Sequence, residues 1–268
     1  MSTFSTSHRL QSLLISTAVF LTTSTYASST DAAAVLLDAE RSVRSQGSVA
    51  STTSAESWSR QEIPASKFGV FSYVVDQSRT AGTNSASGTA AINSNITATL
   101  FSGSGTSTSS TAVNESNPNF SSTSADANAT YKVTFQILSP TFFDLTALLA
   151  YDRVQGSGCC GGGATLSLHN SDFSGPRFNL AFGDSSFNGD FTQNIKLSGM
   201  LDPNTYTLEA SAGSNARGFS VGSSELATGQ FDFSLSLSNV SAVPLPGTVW
   251  MMLTGVMALA SRRAFRNA

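Results

Sequence analysis

Cysteine is nearly absent from this chain: Cys159 and Cys160 are the only two and they are adjacent, so no disulfide framework staples the fold and its stability comes from packing. Charge is scarce too. Charged residues make up 12% of the sequence and lysine occurs only at positions 67, 132 and 196, which argues against salt-bridged helices. Histidine occurs only as His8 and His169. A multi-histidine zinc site is therefore excluded, and a Ser/His/Asp triad would have His169 alone to work with. The nucleophile elbow Gly-x-Ser-x-Gly, the helix motif His-Glu-x-x-His and a phosphate-binding glycine loop are all missing. Gly103-Ser104-Gly105 and Gly161-Gly162-Gly163 lack the residues those motifs need around them and read as flexible turns.

What fills the sequence instead is Ser, Thr, Gly, Asn and Ala, the composition of short strands joined by polar turns. Setting both ends aside leaves ten basic against seventeen acidic residues, a surface that repels nucleic acid. About 215 residues then remain, enough for one two-sheet core. Asp31 is placed to cap a short helix running to about Val43, with Ala32, Ala33, Ala34, Leu36 and Leu37 as helix formers. Ser45 to Ser57 has no periodicity and reads as a linker.

Period-two alternation begins after Lys67 with Phe71, Tyr73 and Val75. A weaker strand spans about 88–101, where Ala91, Asn93 and Asn95 interrupt the alternation. Residues 101–129 read as a long surface loop, with a short strand near 120–125. Tyr131, Val133, Phe135 and Ile137 give the clearest half-buried strand, ended by Ser139-Pro140. Leu145, Ala147 and Leu149 continue the pattern, then Leu166 and Leu168, then Phe178, Leu180 and Phe182. Leu197 and Gly199 lead into a turn at Asp202-Pro203-Asn204, followed by Tyr206, Leu208 and Ala210, and Phe231, Phe233, Leu235 and Leu237 form the last strand. Strands at roughly ten-residue spacing without intervening helices predict an all-β, antiparallel β-sandwich or jelly-roll-like domain over residues 67–241, preceded by a helix and linker over 28–66.

The two ends read as addresses. Residues 1–27 form a signal peptide: His8 and Arg9, an apolar stretch from Leu10 to Leu21, and small residues at Thr25 and Ala27 that suit signal peptidase, with cleavage after Ala27. At the other end Val243-Pro244-Leu245-Pro246 precedes an apolar span to Ala260, then Arg262 and Arg263. The prolines end the last strand, the span enters the bilayer as a single transmembrane helix, and the arginines hold the C-terminus inside. From Leu245 to Ala260 the span is about 16 residues, at the short limit for a crossing helix.

This tail, residues 243–266, resembles the PEP-CTERM sorting signal in its VPLP form. Its basic end departs from an unbroken cluster, since Ala264 and Phe265 separate Arg263 from Arg266. The resemblance implies export, an inner-membrane-tethered intermediate, cleavage near the proline motif by an exosortase, and release to the cell surface or an extracellular polysaccharide matrix. A permanent single-pass anchor is the competing reading. The Gly199 to Leu208 segment and the Phe-rich last strand are similar to β-sandwich domains carried by PEP-CTERM proteins, with Asn204 where that pattern has Gly.

The candidate chemistry of the middle is sparse, and no cofactor or metal is predicted. Asp144, Asp152, Glu209 and Glu225 are among the carboxylates from which a glycosidase pair could come, and no two stand out. Asp184, Asn188 and Asp190 are a possible calcium loop, but Asn188-Gly189 is also a common hairpin turn and that reading prevails. Cys159 and Cys160 leave three arrangements open: a vicinal disulfide, a cross-link between chains, or free thiols. Trp58 is the one candidate glycan contact, because the tyrosines fall at strand positions that look buried. The expectation is a non-enzymatic structural or interaction protein of the surface or matrix; the alternative is a carbohydrate-binding or carbohydrate-active module.

Overall fold

A computed structural model of the chain describes residues 33–115, 123–154, 159–170, 178–182 and 189–239. The signal peptide, the sorting tail with Val243, Pro244, Leu245, Pro246, Arg262 and Arg263, and Asp184 and Asn188 lie outside the described residues.

The described residues form twelve strands, most of which alternate inward-facing with outward-facing positions: β1 (Val35–Ala50), β2 (Ala55–Glu62), β3 (Gly69–Ala81), β4 (Asn84–Ile96), β5 (Leu100–Val113), β6 (Thr123–Ile137), β7 (Thr141–Val154), β8 (Cys159–Asn170), β9 (Phe178–Phe182), β10 (Gly189–Leu201), β11 (Asn204–Gly218) and β12 (Ser223–Asn239). They form two six-stranded sheets, sheet A in the order β2-β1-β6-β11-β8-β9 and sheet B in the order β10-β7-β12-β5-β4-β3. Every strand pair among the described residues is antiparallel, and the two sheets stack face to face as a sandwich. After the β3-β4-β5 meander the chain crosses between the sheets at nearly every connection, β8-β9 excepted.

Several sequence-based expectations change here. From Val35 onward the helix predicted between Asp31 and Val43 is strand β1, and no helix occurs among the described residues. Residues 35–48 are held by pairing with β6, through a bulge between Leu36 and Asp38. This ladder outweighs the helix propensity of the Ala and Leu residues, a weak prior beside tertiary pairing. The Ser45 to Ser57 linker is the end of β1 and the start of β2, which pair directly. The sandwich thus begins near residue 35 rather than 67. The loop predicted over 101–129 contains β5 and the first half of β6.

The core is a wedge. At one end it is thick with large side chains: Phe101 lies tilted 4.7 Å from Phe135, Tyr131 meets Phe233 edge-on at 4.9 Å, and Phe135 stacks on Tyr206 at 5.9 Å. Leu145, Leu149, Leu166, Leu208 and Leu235 fill the space around them. At the other end the inner faces carry Gly, Ala and Ser, and the sheets come close enough for hydrogen bonds between them. Ser109 Oγ donates to Ser214 O at 3.1 Å, and Ser45 Oγ donates to Gly88 O at 2.8 Å. A Cβ on Gly162 would run into the Thr228 carbonyl, and one on Gly229 into the carbonyls of Gly163 and Gly213. Only glycine permits that approach.

Gly103 and Gly105 are therefore strand residues, not a turn: they pair with Phe233 and Phe231, whose rings cover them. Gly161 to Gly163 likewise belong to β8. At the thick end Arg41 is 1% exposed. Its guanidinium donates to the carbonyls of Gly69 at 2.7 Å, Ser66 at 2.8 Å and Lys67 at 3.1 Å, pinning the β2-β3 connection. It also lies 5.4 Å from the centre of the Phe71 ring.

Candidate functional site

The outer face of sheet B follows from the outward parity of its strands. In β5 the alternation Ser102-Gly103-Ser104-Gly105 sends short hydroxyls outward, while β4 sends out Asn93 and Asn95 and β12 sends out Asp232. Register brings these together: Asn95 pairs with Ser102, Asn93 with Ser104, and Ser104 with Asp232. Short serines between longer neighbours leave a shallow depression of about 280 Å³, lined by those five residues, Val70 of the edge strand β3, and Ser94, Gly103 and Phe233.

The chemistry of the lining is one-sided. Asn93, Asn95, Ser102, Ser104 and Asp232 make no side-chain hydrogen bond to the described residues, so their donors and acceptors remain available. Nearby pairs on the same face are satisfied internally, as Ser87 with Ser110 at 2.7 Å and Thr89 donating to Asp76 at 2.8 Å. Ser94 forms part of the floor; its hydroxyl accepts from Arg41 at 3.3 Å and donates to Phe71 O at 3.4 Å. Asp76, Asp144, Asp152, Asp190 and Asp232 all point outward from sheet B, against Lys196 alone among the described residues of that face. Asp152 and Asp190 are direct cross-strand partners, where like charges repel.

No family model and no curated protein matches the chain. Among solved structures it is similar to TmCBM61 in complex with β-1,4-galactotriose, at 11% identity over 42% of this chain and 69% of that one, with a TM-score of 0.22. It is also similar to a carbohydrate-binding module of promiscuous specificity from the β-sandwich superfamily, at 10% identity over 74% of each chain, with a TM-score of 0.20. At these scores neither likeness carries an argument, and the site stands on this chain's own geometry.

The sequence-predicted candidates fall elsewhere. Trp58 is 8% exposed, packs with Val49, Ala81, Ala86 and Ala125, and donates from Nε1 to Ser45 Oγ at 3.0 Å. It is a core residue of the thin end and not an exposed glycan platform, because β2 turns its side chain inward. Cys159 and Cys160 are both free. Consecutive strand residues point to opposite faces, and accordingly Cys159 is exposed and Cys160 buried. Burial pushes the Cys160 thiol up, against the opposing effect of Arg153, whose Nε donates to its Sγ at 3.1 Å.

The four candidate carboxylates are dispersed. Glu225 is 1% exposed inside the thin end. Glu209 pairs with Lys132 at 3.1 Å on the outer face of sheet A. Asp144 and Asp152 lie on the same face of β7 but eight residues apart, roughly 26 Å along a strand, well beyond a two-carboxylate mechanism. His169 sits half-buried in β8, opposite Thr207. Sequence reasoning missed Asn93 and Asn95 as site residues because they looked like interruptions of an apolar alternation. The signal was present in the other parity: Ala90, Ile92, Ser94 and Ile96 point inward and Asn93 and Asn95 outward.

Proposed function

We propose that this chain is an exported, non-enzymatic protein of the bacterial cell surface or extracellular matrix, delivered by its signal peptide and sorted by its PEP-CTERM-like tail. The observation that supports an address at each end is where the sandwich begins and finishes. Ala34 N donates to Ala98 O at 3.1 Å and Leu237 N donates to Thr99 O at 2.8 Å. Both termini of the described sandwich therefore flank the β4-β5 turn at the thick end.

Signal peptidase and exosortase are the processing partners in this reading. The test is the intact mass of the protein recovered from its native host, membrane and extracellular fractions compared. A species starting near Ser28 and ending near the Val243 to Pro246 motif supports sorting and release. A membrane-bound form that keeps Arg262 and Arg263 replaces sorting with a permanent anchor, and hydrolysis of matrix polysaccharide by the purified chain would overturn the non-enzymatic reading.

A second reading concerns the sandwich itself, as a carbohydrate-binding module for matrix polysaccharide. What favours it is the set of unspent amide, hydroxyl and carboxylate groups in the sheet B depression, which matches the way polar groups orient a hydroxylated ligand.

A further inference from the structure

We infer that the depression on sheet B takes a neutral polysaccharide with adjacent free hydroxyls, held by Asn93, Asn95 and Asp232, and that it rejects anionic polymers. The inference rests on the carbohydrate-binding reading and names its site and ligand class. A sugar hydroxyl both donates and accepts, and two on neighbouring carbons are spanned by the two oxygens of a carboxylate or by the oxygen and nitrogen of an amide. Asn93 and Asn95 offer both roles, Ser102 and Ser104 add hydroxyls between them, and Asp232 supplies the charge-assisted acceptor.

Charge decides between ligand classes. An anionic chain entering the depression meets Asp232 and the field of the other outward aspartates, and Lys196 is the sole described cation on that face. The one guanidinium beneath the floor, Arg41, is enclosed, and the donors on its terminal nitrogens are committed to the carbonyls of the β2-β3 connection and to Ser94. It is not available to a carboxylate or sulfate. Val70, 75% exposed at the rim, provides an apolar contact for the C–H face of a sugar ring. Stacking contributes little, since the Phe233 ring is 2% exposed and turned toward Tyr131. Affinity therefore depends on the polar side chains, and truncating one of them is decisive.

The test is calorimetric titration of the full chain with mannan, xylan and glucan oligosaccharides and with an oligouronate. Melting curves confirm the fold of the variants Asn93→Ala and Asp232→Ala, whose side chains are exposed, and of Asn128→Ala on the outer face of sheet A as a control. The expected result is binding of at least one neutral oligosaccharide, weakened about tenfold or more by Asp232→Ala, unchanged by Asn128→Ala, with no binding of the oligouronate. An oligouronate that binds more tightly than every neutral sugar overturns the ligand class and leaves the carbohydrate-binding reading in place. Neutral binding that survives both depression variants overturns the site. No saccharide binding at all removes the carbohydrate-binding reading itself, and the inference with it.

Discussion

Tyr131 and Arg41 face each other across the β1-β6 ladder, both pointing into the thick end of the core. Burial pushes the Tyr131 phenol well above its ordinary value of 10.0, with the Arg41 charge opposing. A raised folded pKa means that stability is fully present below the unfolded value and is lost as pH rises past about 10, where the unfolded chain ionises first. The Tyr131 hydroxyl makes no hydrogen bond to the described residues, so Tyr131→Phe should fall within about 1 kcal/mol of the parent near neutral pH. Urea denaturation at pH 8 and pH 11 checks both halves: the variant should lose less stability between the two than the parent does. Arg41→Met should behave differently. It leaves three carbonyls of the β2-β3 connection without their donor, a loss of about 2–3 kcal/mol after the relief of desolvation is set against it. Unchanged stability in this variant would show that those carbonyls find water without cost.

Among the elements, β7 and the second halves of β6 and β12 are legible in the sequence because their inner faces carry the large residues that make a period of two visible. Tyr131, Val133, Phe135 and Ile137 are all buried as their alternation implies. β5 and the first half of β6 were read as loop for a physical reason. The inward positions are Gly103 and Gly105, covered by the Phe233 and Phe231 rings, then Ser107, Ser109 and Thr111 toward the end where the sheets converge, and Ala125, Ala127 and Ala129 on β6, so hydropathy does not separate inside from outside. β1 was misread because Arg41 and Ser45 are inward and polar while its first residues favour helix. The candidate site was hidden by the same effect, since Asn93 and Asn95 lie on a strand whose inner face includes Ser94. The close approach itself is testable at the element scale. Gly229→Ala forces two backbone carbonyls of sheet A away and should cost about 2–3 kcal/mol or more, whereas Gly161→Ala meets only the Asn215 side chain at 3.3 Å and should be nearly neutral. Equal effects in chemical denaturation would mean that the sheets separate at that end without strain.

For the whole molecule, sheet order and chain order are far apart, and this sets when the sandwich can form. Strand β12, the last, lies between β7 and β5 at the centre of sheet B. It contributes Phe231, Phe233, Leu235 and Leu237, all buried. Burying each such side chain is worth about 1.5–3 kcal/mol, so together they match the roughly 5–15 kcal/mol by which a domain is stable. A chain ending at Gly222 should therefore show no cooperative melting, with β5 and β7 left facing an absent partner. A chain ending after Asn239, which keeps all twelve described strands, should melt in one transition within a few degrees of the full-length protein. Cooperative melting of the shorter chain would show that sheet B closes without its central strand. If the two chains separate as expected, the consequence for the proposed export is direct: β12 ends four residues before Val243, so a sandwich exported from its N-terminus would not be completed until the chain had crossed nearly to its proline motif. In the sorting reading, the domain finishes folding only as the tail reaches the membrane, and cleavage at the motif then releases a sandwich that loses no strand.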